Sequence, residues 1–196
     1  MPPSRPPLVV VVAGPNGAGK STAAPSLLQE ALSVSEFVNA DAIAAGLSAF
    51  RPESVAFAAG RLMLARIRAL GMARADFAFE TTLASRSFAP RLTRLREAGY
   101  RLHLAFLSLP NPDLAVARVA ERVRAGGHDV SEFVIRRRFV AGLRNLFSLY
   151  LELADTWQVF DNSALSAPRL IATKMSGEET RLTDPEAWKT LLEVSR

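Results

Sequence analysis

The chain of 196 residues is 49% hydrophobic and 22% charged, with a net charge of +5 and a pI near 10.4; that is the composition of a globular protein with room for a substantial core. It has no cysteine and only two histidines, which excludes disulfides and thiolate metal sites and argues against zinc. No apolar run reaches the roughly eighteen residues of a membrane span, and the proline-rich lead-in of residues 1–7 lacks a secretion-signal core, so a cytoplasmic place is the default expectation. The pattern reads as a single domain over residues 1–196, with no repeat, low-complexity tract or linker. A basic chain can serve nucleic acid. Here no Lys/Arg block carries interleaved aromatics, and aromatic content is 8%, so nucleic acid is not the expected partner.

The first element is Leu8 to Ala13, an unbroken apolar and β-branched run. Such a run reads as a strand buried on both faces of a parallel sheet. It leads into Gly14-Pro15-Asn16-Gly17-Ala18-Gly19-Lys20-Ser21, which spells G-x-x-x-x-G-K-[ST]. Thr22 to Leu32 then reads as a helix, with Pro25 near its first turns. Strand, glycine-rich loop and helix N-terminus are the context this phosphate-binding motif requires. The glycines let backbone N–H groups turn inward around a phosphate, and the helix dipole adds partial positive charge there. Lys20 is placed to reach the β- and γ-phosphates of ATP, and Ser21 offers a hydroxyl to Mg²⁺. Gly14 through Thr22 are therefore the ATP-side residues.

Phe37-Val38-Asn39 is a short second strand, ending at Ala40-Asp41. In a parallel sheet the carboxyl ends of strands face the ligand crevice. A carboxylate there can take a proton from an attacking hydroxyl or hold Mg²⁺ through water, so Asp41 is the candidate base. It also precedes Ala42-Ile43-Ala44-Ala45 and could serve as a helix cap. A long helix follows Arg51-Pro52-Glu53 and runs to about Leu70, with Gly71 as its stop. The third strand, Asp76 to Phe79, ends in Glu80-Thr81-Thr82, a polar cluster suited to the hydroxyls of an acceptor or the water shell of Mg²⁺. Ser87 to Gly99 reads as a helix and Arg101 to Leu109 as the fourth strand, in which His103 is isolated and reads as structural.

Asn111-Pro112 opens a helix in the favoured cap-then-proline pattern. Arg118 and Arg122 share one face of it and are ATP-side candidates. Gly126-Gly127 breaks this helix before a second one that carries Arg136-Arg137-Arg138. Residues 118–138 thus read as two arginine-bearing arms hinged by a double glycine, a lid that closes over ATP and neutralises charge on the transferred group. Trp157 to Phe160 is the fifth strand, Arg169 to Lys174 a further edge strand, and Asp184-Pro185 opens a terminal helix. The expected fold class is α/β: a three-layer P-loop NTPase/kinase fold with a mostly parallel sheet of five to six strands and a helical lid.

The phosphate loop, Phe37-Val38-Asn39-Ala40-Asp41, Phe79-Glu80-Thr81-Thr82-Leu83, Arg122 to His128 and Asp161-Asn162-Ser163 together resemble the zeta toxin family over nearly the whole span from Leu8 to Ser163. The resemblance implies a P-loop kinase that transfers the ATP γ-phosphate to a hydroxyl of a sugar nucleotide such as UDP-N-acetylglucosamine. It puts Asp41 on the catalytic base, Glu80 and Thr82 on sugar-nucleotide contacts, and Arg122 on an ATP-contacting lid arginine. Where the family has an arginine two residues after the threonine, this chain has Ala84, with Arg86 as a nearby substitute. An antitoxin protein is the partner the resemblance implies. The alternatives are a polynucleotide or nucleoside kinase and, further off, a non-kinase ATPase.

Overall fold

The computed structural model describes residues 5–164 and 167–196; residues 1–4 of the lead-in lie outside it. The all-apolar run Leu8–Ala13 forms β1, and Val9, Val10, Val12 and Ala13 are fully buried, as a strand covered on both faces requires. On one side β1 pairs in parallel with β3 (Phe77–Thr81), and on the other with β4 (Arg101–Ser108). The two-residue β2 (Phe37–Val38) lies outside β3, and β5 (Thr156–Asp161) lies outside β4, both parallel. Two antiparallel strands, β6 (Arg169–Lys174) and β7 (Arg181–Leu182), complete the order β2-β3-β1-β4-β5-β6-β7. Among the described residues the sheet therefore has seven strands, not five or six, and β6 is not its edge. The sequence hides β7 because two exposed residues make no periodic run.

Helices make the crossovers between the parallel strands. The chain leaves β1 for the β2 edge through α1 (Lys20–Pro25) and the helical stretch after it, whose Ala24 and Leu28 pack with Val10, Val12 and Ala78. The later connections run the other way, through α2 (Ala40–Leu47), α3 (Ala56–Met72), α4 (Ala89–Glu97), α5 (Pro112–Arg124), α6 (Glu132–Asn145) and α7 (Leu151–Leu153). Their buried faces join Val9, Val11 and Phe77 in the main core, which includes Met63, Ile67, Leu92, Val119, Ile135 and Phe139. The terminal α8 (Pro185–Val194) is capped by Asp184 and stacks Trp188 on Trp157. Connections from the neighbouring strands β1 and β3 leave in opposite directions, so their carboxyl ends border the crevice where an open α/β sheet binds ligands.

Three local expectations change. The first helix begins at Lys20 and widens after Pro25 into a π-helical stretch, Ser26–Ala31. Proline has no N–H and its ring crowds the carbonyl four residues back, so the regular ladder cannot continue past it. Helix α3 runs through Gly71 to Met72 and is stopped by Arg74 at φ 53. The helix expected from Ser87 to Gly99 begins instead as a 3₁₀ turn, Arg86–Phe88, and continues as α4, which ends at Glu97.

His103 is structural, as read from sequence. It is 7% exposed, and its Nδ1 lies 2.8 Å from Thr156 Oγ1. Burial, with Arg101 nearby, pushes its pKa from 6.5 down to about 4. The unfolded chain therefore binds a proton there before the folded one does. Stability is complete above pH 6.5 and is lost as pH falls toward 4, by about 3 kcal/mol at ~1.4 kcal/mol per pH unit. Denaturant unfolding from pH 4 to 7 should show this slope, and H103Q should flatten it.

Candidate active site

The loop from Gly14 to Gly19 is shaped by glycines whose neighbours leave no room for a side chain. At Gly14 (φ 145) a Cβ would stand 2.2 Å from Leu107 O, and at Gly19 (φ 74) 2.7 Å from Asn162 Nδ2. That same Asn162 amide donates to Ala18 O at 2.8 Å, so the tip of β5 braces the loop from behind. Gly19 immediately precedes α1, and Lys20, Ser21 and Thr22 form the first turn. The helix N-terminus and the loop amides thus converge on one anion-binding concavity.

Lys20 is 6% exposed; its Nζ donates to Pro15 O at 2.9 Å and lies 3.5 Å from Glu80 Oε1. Burial lowers its pKa below the usual lysine range, while the Glu80 and Asp41 carboxylates oppose that and Arg122 adds to it. Glu80 sits near the end of β3 in register with Val12, two residues before Gly14. Its Oε2 accepts from Ser21 Oγ and from Asn39 Nδ2, both at 2.7 Å. A hydroxyl and a carboxylate beside a phosphate loop are the hard oxygen donors that suit Mg²⁺. Among the described residues no group of three His, Cys, Asp or Glu side chains could cage a metal ion. An ion at Ser21 and Glu80 would therefore share its shell with water and phosphate oxygens, as Mg²⁺ commonly does.

Asp41 stands in the first turn of α2, not at its cap. The cap is Asn39, whose Oδ1 accepts from the N–H groups of Asp41 (2.7 Å) and Ala42 (3.0 Å). The Asp41 carboxylate is exposed and takes no hydrogen bond or ion pair among the described residues, yet its charge is felt at Lys20 and at Arg138.

The arginines separate sharply. Arg118 donates to Asn162 O (2.6 Å) and Ser163 O (2.7 Å), so it is a strut behind the loop. Arg122 donates from Nη2 to His128 O at 2.8 Å, and Gly127 folds over it so closely that a Cβ would meet Arg122 Cγ at 2.6 Å. Its Nε and Asn16 Oδ1 are buried and have no hydrogen-bond partner among the described residues. An orphaned guanidinium donor whose charge reaches Lys20 is what a phosphate site predicts. On α6, Arg136 pairs with Asp113 (2.6 Å) and Glu132 (2.7 Å), and Arg137 lies over the Phe133 ring. Arg138 is half-buried beside the stripe of Ile135 and Phe139, makes no hydrogen bond or ion pair among the described residues, and shares a field with Asp41.

Thr82 and Arg86 are placed differently from the rest. The Thr81 and Thr82 hydroxyls accept from Leu83 N (3.1 Å) and Ala84 N (3.4 Å), so both serve local turns. The segment after them is gripped by the α6 side of the molecule. Asn145 donates to Leu83 O and the Tyr150 hydroxyl to Ser85 O, each at 2.8 Å, and Gly142 lies against Thr82 O. Leu83 is fully buried at φ 56, backbone strain that sits next to the site. Arg86 is exposed on the turn Arg86–Phe88, with its charge near the Tyr150 hydroxyl, whose pKa burial raises to about 12. The sequence assigns no individual role to Asn39, Asn162 or Asn145, and it places Arg138 on the lid without setting it apart from Arg136 and Arg137. A polar residue ending an apolar strand was the one available signal for the first two.

A family model described as an AAA domain matches residues 9–146. The chain belongs to this AAA domain family. A Haemophilus influenzae relative, itself uncharacterized, is 29% identical over 126 residues, 64% of this chain and 88% of its own. Among solved structures, a chain of the AvrRxo1-ORF1:ORF2 complex superposes with a TM-score of 0.75 at 16% identity over 97% of this chain. This chain spans only 64% of that protein's length; the same complex has also been solved with ATP. A chain of the PezAT toxin-antitoxin system of Streptococcus pneumoniae superposes with a TM-score of 0.68 at 18% identity, over 98% of this chain and 85% of its own. At these identities the likeness shows the fold alone: this AAA domain chain shares the α/β fold of those structures.

Proposed function

We propose that this chain is an ATP- and Mg²⁺-dependent kinase that transfers the γ-phosphoryl group to a hydroxyl of a small-molecule acceptor, a sugar nucleotide such as UDP-N-acetylglucosamine. One observation carries the reading: two carboxylates beside the buried Lys20 are in different states. Glu80 is engaged by Ser21, Asn39 and Lys20, whereas Asp41 is exposed and unengaged. The first suits the metal side of the site and the second suits a general base.

In this reading the loop amides and Lys20 hold the β- and γ-phosphates. Ser21, and Glu80 through water, would hold Mg²⁺, which would supply charge neutralisation at the phosphate oxygens. The acceptor hydroxyl lies between Asp41 and the γ-phosphorus and gives its proton to Asp41 as the new P–O bond forms in line with the departing ADP oxygen. Residues 118–138 act as the lid, with Arg122 and Arg138 facing the transferred group. Thr82 and Arg86 border the acceptor side, and an inhibitory partner protein, as in a toxin-antitoxin pair, belongs to the same proposal, as does action in the cytoplasm.

The test is labelled ATP with wild-type protein and K20A against sugar nucleotides, nucleosides and single-stranded oligonucleotides. Label is expected in a sugar nucleotide with the wild type and in no acceptor with K20A. Label in oligonucleotides alone would make the chain a polynucleotide kinase, and ATP loss with no labelled acceptor would make it an ATPase.

A further inference from the structure

Three elements meet at Glu80, and one side chain links them. Strand β2 is only two residues long, and its pairing with β3 ends at Val38. So short an edge strand cannot by itself set the direction of the chain that follows, and the turn bearing Asp41 begins at the next residue. Asn39 supplies the missing constraint. Its Oδ1 accepts from the N–H groups of Asp41 and Ala42 at 2.7 and 3.0 Å. Its Nδ2 donates to Glu80 Oε2 at 2.7 Å and lies 3.4 Å from Ser21 Oγ. Several residues cap a helix equally well, but a carboxamide alone offers an acceptor on one atom and donors on another at this reach.

We infer that Asn39 is a positioning residue: one side chain locks the turn that carries Asp41 to the Ser21–Glu80 pair, so that the proton acceptor and the metal-side oxygens share one frame. The inference rests on the proposed kinase reading for the role of Asp41. It assigns Asn39 no contact with the acceptor or with ATP. What Asn39 does is hold Glu80 Oε2 toward Ser21 and hold the first turn of α2 against β3. A cap alone would stabilise α2 and leave the site's response to metal unchanged.

Two variants separate these roles. N39S keeps a capping oxygen but is too short to reach Glu80, and N39D keeps the cap while setting a carboxylate against Glu80; N39A loses both functions. In the full-length protein, N39S and N39D are expected to melt within a few degrees of wild type, while N39A melts lower. ADP affinity without metal should match wild type in N39S and N39D. By calorimetry, the gain in ADP affinity on adding Mg²⁺ should shrink in N39S by about ten- to a hundredfold, the usual cost of removing a group that orients a metal-site ligand. kcat should fall by a similar factor with KM for ATP little changed, and N39D should be slower than N39S. N39S with wild-type Mg²⁺ dependence and kcat would overturn the inference, and so would full recovery of both by N39D, since either result reduces Asn39 to a cap. If wild-type protein transfers no phosphoryl group, the kinase reading fails, while the Mg²⁺-linked ADP affinity still decides the role of Asn39.

Discussion

D41N should lower phosphoryl transfer by about 10²- to 10⁴-fold, the range for loss of a general base, and leave ATP affinity within about a factor of two. The substitution keeps size and hydrogen-bonding capacity but removes the basic oxygen. Nothing structural depends on that oxygen: the carboxylate is exposed and makes no hydrogen bond or ion pair among the described residues, and the cap of α2 belongs to Asn39. The loop, Lys20 and Ser21 lie on other elements, so the nucleotide keeps its cradle. The loss should fall on kcat, because the proton moves only in the transition state. Titration calorimetry with ATP beside a single-turnover transfer assay would separate binding from chemistry. Transfer by D41N at the wild-type rate would leave the site without its assigned base and would require Glu80, already occupied by three donors, to take the role.

R122A and R138A should each lower kcat by roughly 10³-fold, the lower end of what an arginine contributes to phosphoryl transfer, whereas R136A and R137A should stay within about threefold, since exposed pairs contribute little. Three adjacent arginines on α6 are chemically the same and differ only in direction. Arg136 is held by Asp113 and Glu132, and Arg137 by the Phe133 ring. Among the described residues Arg138 is half-buried and makes no hydrogen bond or ion pair beside the core stripe, and Arg122 has a buried Nε with no hydrogen-bond partner. A desolvated guanidinium without an anion is costly, and an arriving phosphoryl group relieves that cost as charge develops. A kcat for R138A equal to that of R136A would remove Arg138 from the lid's chemistry.

These comparisons show where a one-dimensional reading ends. Helical neighbours are turned about 100° from one another, so Arg136, Arg137 and Arg138 point three ways; which way faces the site depends on how α6 seats Ile135 and Phe139 in the core. The two carboxylates are visible in the sequence as residues near strand ends, but that Glu80 is engaged by its neighbours and Asp41 exposed is not. Glu80 meets Ser21 and Asn39 across 59 and 41 positions of chain, and only the parallel pairing of β3 with β1 on one side and β2 on the other brings them together. Asn39 looked like the end of a strand because its neighbours on both sides are apolar or small. Its two-ended hydrogen bonding appears only once β3 lies alongside.

By itself, the sequence determined the features whose causes are local. These are the apolar run that must be buried, the glycines that admit a phosphate, the lysine and serine that follow them, the helix opened by Asn111-Pro112 and the order of strands and helices that makes an α/β sheet. The tertiary structure decided the rest: among the described residues a sheet of seven strands with two antiparallel, Arg118 as a strut, Arg138 half-buried on α6, Asn39 between the Glu80 carboxylate and the first turn of α2, and the strained Leu83 held by Asn145. The physical reason is range. Backbone preference and hydrophobic period act within a few residues, whereas the charge and hydrogen-bond partners of a side chain are set by elements that only the closed sheet makes neighbours.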